Sequence, residues 1–295
     1  MGPKMSGRDF LIFMLCCLGW GGNFVVTAWV VGSNPVPPFM LALCRSSLVL
    51  LVMGVFLVRP LPKPFGRLLL VSFFIGPAHL GFLYTGLQTA PASASSIVSQ
   101  ALIPISTFLS VIFLKEKIGW IRSIAIIVSF IGVIVMVYEP GALSLDYGLI
   151  LLFASFLSMA IGSVLARTIP AVDWKQYVAW TALMVFSFAL PMTFFFETDH
   201  GQILAVAGWK LAIVAMYAAF LVAIIGHGQY FRLLQTYEVS QVVPLSLMTT
   251  VWACLLGVLF LDETLYPRYL IGAALILPCV WIIARRGTVP PVREG

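Results

Sequence analysis

Phe113-Leu114-Lys115-Glu116-Lys117 and Phe260-Leu261-Asp262-Glu263-Thr264 are two versions of one phrase, 147 positions apart. Each closes a long apolar run. Leu87-Gln88-Thr89 returns at the same offset as Leu234-Gln235-Thr236, and the two stretches align without a gap from Leu87 to about Arg122. The first copy of the phrase is basic and the second acidic. A duplicated membrane chain whose halves face opposite ways predicts that difference.

Composition sets the solvent. Apolar residues make up 61% of the 295, charged residues 9%, and the mean hydropathy is +1.05. A water-soluble core of this length has no means of covering so much apolar surface, so lipid is the expected surroundings. The net charge of +6 then calls for no nucleic acid, because cytoplasmic loops of membrane proteins collect Lys and Arg. The five cysteines, Cys16, Cys17, Cys44, Cys254 and Cys279, fall inside apolar runs without metal-ligand spacing and read as buried thiols. No metal or cofactor is expected.

A helix needs about 20 apolar residues to cross roughly 30 Å of hydrocarbon. Ten segments qualify: 8–31, 36–58, 65–88, 92–114, 119–138, 146–167, 174–196, 208–233, 239–260 and 267–285. Prolines punctuate them, at Pro35, Pro37-Pro38, Pro60 to Pro64, Pro91, Pro140 and Pro170. Ser93 and Ser240 are the expected N-caps of the fourth and ninth spans, and Pro267 the first residue of the tenth. With the N-terminus inside, 14 of the 17 Lys and Arg lie on the cytoplasmic side; Lys210 and Arg268 lie outside and Arg45 within a span. That bias predicts cytoplasmic N- and C-termini. The expected fold is an all-α integral membrane protein of ten helices in two halves, 1–140 and 141–295. Five crossings per half invert the second copy, and inverted repeats place one binding site near the midplane in many secondary transporters.

Four features resemble the drug/metabolite transporter superfamily, in its ten-span bacterial branch of amino-acid and metabolite exporters. They are Leu18-Gly19-Trp20-Gly21-Gly22-Asn23-Phe24 in the first span, Arg45 in the second, Ala90-Pro91-Ala92-Ser93-Ala94-Ser95 opening the fourth with Pro104 beyond it, and the repeated Phe-Leu-x-Glu phrase before a Gly-containing helix (Gly132, Gly272). The resemblance implies a basket in which spans 1, 3, 4, 6, 8 and 9 surround a central cavity while spans 5 and 10 stand at the back. It also implies export, and a place in the bacterial inner membrane.

Polar side chains deep in a span are costly and therefore functional candidates. All eleven carboxylates lie at helix ends or in loops, so none is placed to meet a cationic drug or relay a proton. Arg45 is the only mid-span cation, too little for a phosphorylated dianion. A net-neutral solute with a large apolar part fits better. Arg45 reads as structural, snorkelling or bonding helix-end carbonyls, with a substrate carboxylate as the alternative partner. Glu116 and Glu263 read as caps of the fifth and tenth helices. His79 and His227 sit one residue apart in repeat register and are candidates both for substrate contact and for proton coupling. Helical spacing puts Trp20 and Asn23 on one stripe of the first span, Ser96 and Gln100 on the fourth, His227 and Tyr230 on the eighth, and Met248 and Trp252 on the ninth. With His79 and with Ser158 of the sixth span these form the expected substrate lining. The alternative for the polar members is ordinary hydrogen bonding between helices.

Neither Gly-x-Ser-x-Gly nor His-Glu-x-x-His occurs, and no charged ring or carbonyl filter is visible, so an intramembrane enzyme and a channel are both disfavoured. The expected activity is export of neutral amino acids, aromatic and apolar ones favoured, by alternating access. Hydrophobic drugs or metabolites such as nucleosides are the alternative cargo. The expected partners are a small-molecule substrate and the bilayer, and a monomer suffices.

Overall fold

The computed structural model describes residues 5–32, 36–58, 60, 65–113, 119–139, 144–166, 168–169, 172–227, 229–230, 233 and 245–285. The calls on Glu116, Ser240, the Leu234-Gln235-Thr236 repeat and the close of the first phrase lie outside those residues.

Helix α1 (Gly7–Gly32) starts where Ser6 Oγ accepts the Asp9 N–H at 3.1 Å, and it runs 26 residues, enough to span a bilayer. Then come α2 (Pro38–Met53) with a 3-10 extension to Val58, and α3 (Phe65–Phe73). A π-turn (Phe74–Ala78) joins α3 to α4 (His79–Gly86), and α5 (Ala92–Ser99) and α6 (Leu102–Phe113) share the next span. The remainder is α7 (Trp120–Val137), α8 (Tyr147–Ala166), α9 (Trp174–Phe196), α10 (His200–Met216) with a π-segment (Tyr217–Gly226), α11 (Met248–Leu261) and α12 (Pro267–Arg285). Among the described residues seven helices are long and apolar enough to cross a membrane, and three more apolar helices, 123–136, 248–261 and 267–282, are shorter. Leu51, Ile134 and Phe195 stand exposed on different helices, as lipid-facing side chains do.

Two expectations need correction. The span expected from residue 208 begins at His200, because Asp199 takes a left-handed φ of 59° that turns the chain directly from α9 into the next helix. The fold of the described residues is all-α, as expected; in the connection at the expected boundary between the halves, Tyr138–Glu139 pairs antiparallel with Ser144–Leu145. Ser93 is not an N-cap. Pro91 holds that position without a side-chain bond, and Ser93 Oγ is buried with no partner.

The cap comes from elsewhere. Glu263, expected to cap its own helix, accepts the N–H groups of Ala92 and Ser93, the latter at 2.9 Å, and so caps α5 from 170 positions away. Asp262, at φ 52°, ends α11 and turns the chain, leaving Glu263 four residues before Pro267, where α12 begins. Glu197 does the same for α2. Its carboxylate accepts Phe39 N–H at 2.7 Å, Met40 N–H at 2.9 Å and the Thr193 hydroxyl at 3.0 Å. Burial pushes the Glu197 carboxyl above the ordinary range, while those bonds and nearby His200 pull it back. Two helix starts, whose N–H groups have no intrahelical acceptor, are thus held by carboxylates from the other end of the chain.

Close helix pairs hold the bundle. α7 lies against α12, α2 against α9, α1 against α11, and α8 against α4, α5 and α6. Gly132 and Gly272 face each other across the first pair; a Cβ on Gly132 would stand 2.8 Å from Ile276 Cγ1, so the backbones meet only because both are glycine.

Candidate functional site

Trp20 stands at the middle of an aromatic group. Its ring centroid lies 5.6 Å from Tyr230 and 6.1 Å from Phe13, both edge-on, and 5.7 Å from the His227 ring. Phe13 and Tyr230 stack at 6.0 Å. Met248 and Trp252 pack into the same cluster from α11. Five of the expected lining residues, Trp20, His227, Tyr230, Met248 and Trp252, are therefore brought together by three stretches of chain. The glycines around Trp20 explain how it fits: a Cβ on Gly226 would lie 2.6 Å from Trp20 Nε1. The indole occupies space that any other residue there would fill.

Trp20 Nε1, Asn23 Oδ1, Trp252 Nε1 and Arg45 Nε are buried without a hydrogen-bond partner. Buried polar atoms are nearly always paired, so these four are open to a group that arrives; six more such atoms occur among the described residues, with Ser72 Oγ, Ser129 Oγ and Trp180 Nε1 on other helices. Arg45 does not behave as expected from the sequence. Its one hydrogen bond runs from Nη1 to Tyr84 Oη at 3.3 Å, and no helix-end carbonyl receives it among the described residues. Tyr84 was not anticipated as its partner, and neither was Tyr217, which donates to the Gly19 carbonyl at 2.7 Å beside Trp20.

His79 is fixed across helices. Ser155 Oγ donates to the His79 carbonyl at 2.9 Å and lies 2.7 Å from Nδ1, while the Ser155 carbonyl is 3.2 Å from the same nitrogen. Both contacts engage Nδ1, which ties the ring to Ser155. His227 follows the π-segment, and its backbone N–H donates to the Ile224 and Val222 carbonyls.

The remaining expected residues point elsewhere. Gln100 Nε2 donates to Thr250 Oγ1 at 2.9 Å, Thr250 donates to the Ser96 carbonyl at 3.2 Å, and the Ser96 side chain bonds Ser93 O at 2.7 Å. Ser96 and Gln100 are thereby committed to packing α5 on α11. Ser158 Oγ donates at 2.9 Å to Phe74 O in the π-turn where Pro77 breaks the regular ladder. Ser158 also borders a cleft of about 660 Å³ between α2, α4, α8 and α9, whose other walls include Ala42, Pro77, Gly81, Leu157 and Phe188. This cleft is apolar and lies away from the Trp20 cluster. Among the described residues no group of His, Cys, Asp or Glu is arranged to hold a metal ion.

The EamA-like transporter family matches this chain twice, over residues 9–138 and 146–285. A protein of Salmonella typhimurium named as a probable amino-acid metabolite efflux pump is 30% identical over 94% of this chain and 95% of its own length. An Escherichia coli protein of the same name is 29% identical over the same shares. A solved crystal structure, 18% identical, superposes with a TM-score of 0.58 over 97% of this chain and all of its own, which shows a shared fold. The repeated match, the relative aligned almost end to end and the apolar helices agree: the chain belongs to the EamA-like transporter family and is a multi-pass membrane transporter.

Proposed function

We propose that this protein exports neutral amino acids and related metabolites, with aromatic and apolar side chains favoured, by alternating access across the bacterial inner membrane. The observation that carries this is the Trp20 cluster: ring faces for an apolar side chain beside orphaned polar atoms for a head group. No carboxylate among the described residues lies deeper than a helix end, which favours a net-neutral cargo over a cationic drug. The names of the two bacterial relatives supply the cargo class and the outward direction.

The proposed framework is ten spans in two inverted halves, 1–140 and 141–295, with both termini cytoplasmic. Helix pairing supports it. The first span (α1) packs on the ninth (α11) as the sixth (α8) packs on the fourth (α5–α6); the second and seventh pack together, as do the fifth and tenth. Exchanging the halves leaves this pattern unchanged, as an in-plane pseudo-twofold requires. The double family match supports the same division. His79 and His227 are the groups through which proton exchange would run, since no acid stands beside them. A His79→Ala variant with unchanged transport between about pH 5 and 8 removes that role.

The test is counterflow in proteoliposomes with labelled amino acids, nucleosides and cationic dyes. Phenylalanine, leucine and their like should exchange; exchange of dyes with no amino acid would overturn the reading.

A further inference from the structure

Arg45 is a cation placed inside a span, seven positions into α2 and about 10 Å along its axis from the first residue; Lys210, within the α10 span, instead lies over the Trp29 and Trp209 rings. Arg45 has no carboxylate partner among the described residues; the ion pair described there is Arg268 with Asp146, 3.5 Å apart near the ends of α12 and α8. Its Nε is buried and unbonded, and Nη1 has only the neutral Tyr84 hydroxyl. Its partner Tyr84 stands on α4, the helix that begins at His79. His227 touches Trp20, whose indole N–H is also unbonded. A cation held in a span with spare donors and no counter-ion is a large unmet demand for an anion.

We propose that Arg45 anchors the carboxylate of the cargo, and that the transported class is apolar monocarboxylates, with amino acids as one case of it. The inference rests on the exporter reading and specifies its head-group chemistry. The asymmetry of the site decides the class. A carboxylate meets a full opposite charge on a planar guanidinium, a charge-assisted bond with two-point geometry. An ammonium meets only neutral partners, the His79 imidazole or the ring faces of Trp20 and Tyr230. Removing the carboxylate from a ligand therefore harms recognition far more than removing the amine. An acid without the amine also neutralises Arg45 and brings no unpaired charge of its own.

The experiment is competition against labelled phenylalanine counterflow, using the full chain in proteoliposomes and two competitors that each lack one charge. 3-Phenylpropionate should compete within about tenfold of phenylalanine, and 2-phenylethylamine should be weaker on the order of 100-fold. Arg45→Gln should erase that order, and Arg45→Lys should keep it in weakened form. Equal competition by the amine, failure of the acid, or an unchanged order in Arg45→Gln overturns the proposal while leaving the exporter reading intact. If Arg45→Gln does not fold, the wild-type competition decides alone. Absence of any phenylalanine exchange by the wild type overturns the exporter reading itself and this inference with it.

Discussion

Glu263 and Glu197 show what a single side chain does in a fold of this kind. A helix start in or near lipid has four N–H groups without acceptors, and water is not freely available to take them. A carboxylate offers two acceptors and a charge that suits the positive helix end. Glu263→Gln keeps the shape and removes the charge, and should lower stability by about 1–2 kcal/mol, read as a fall in the thermal midpoint of the detergent-solubilised protein. Glu197 makes a different prediction. Because burial raises its carboxyl in the folded protein above the ordinary 4.5, the folded state holds the proton more tightly than the unfolded chain does. Its contribution is then fully present below the ordinary value and is lost as pH rises through the raised one. The thermal midpoint should fall as pH rises above 4.5, by an amount that Glu197→Gln abolishes; an equal fall in the variant would assign it to another group. Neither role was legible in the sequence. The helical position of Glu263 suggested a local cap, and its partner at Ser93 is brought near only by the tertiary fold.

Helices were the most legible level. Apolar length and the prolines placed α9 at 174–196 and the tenth helix at Pro267, where the structure has them. Helical periodicity identified faces without revealing what each face meets. On α1, α11 and the eighth span the striped residues converge on Trp20, whereas on α5 the same reasoning picked Gln100, which Thr250 already holds. The break at Phe74–Ala78 is explained by Pro77, but the π-segment Tyr217–Gly226 contains no proline and left no mark in the sequence. Its effect is local: it ends in the glycine on which Trp20 rests. Where glycines set the distance between helices, bulk should be poorly tolerated. Gly132→Val must push α12 away, since a Cβ there already meets Leu275 Cβ at 3.0 Å and Gly272 O at 3.2 Å. A loss of about 1–3 kcal/mol is expected, measured by thermal unfolding, while the same change at exposed Gly7, with nothing within 4 Å, should be neutral.

For the whole molecule, the repeated phrase at Phe113 and Phe260 first suggested duplication, and the exchange of helix partners between the halves is the pattern that an inverted pair would make. Such a pair has two packings of similar energy, and a carrier built on it opens to one side at a time. A carrier and a channel then differ in one direct measurement. Proteoliposomes are loaded with unlabelled phenylalanine, diluted, and given a trace of labelled phenylalanine outside. Alternating access predicts a transient overshoot, in which the label accumulates inside above its external concentration before decaying, because efflux of the unlabelled molecule returns the binding site loaded. A monotonic approach to equal concentrations, with no overshoot at any loading, would contradict the account.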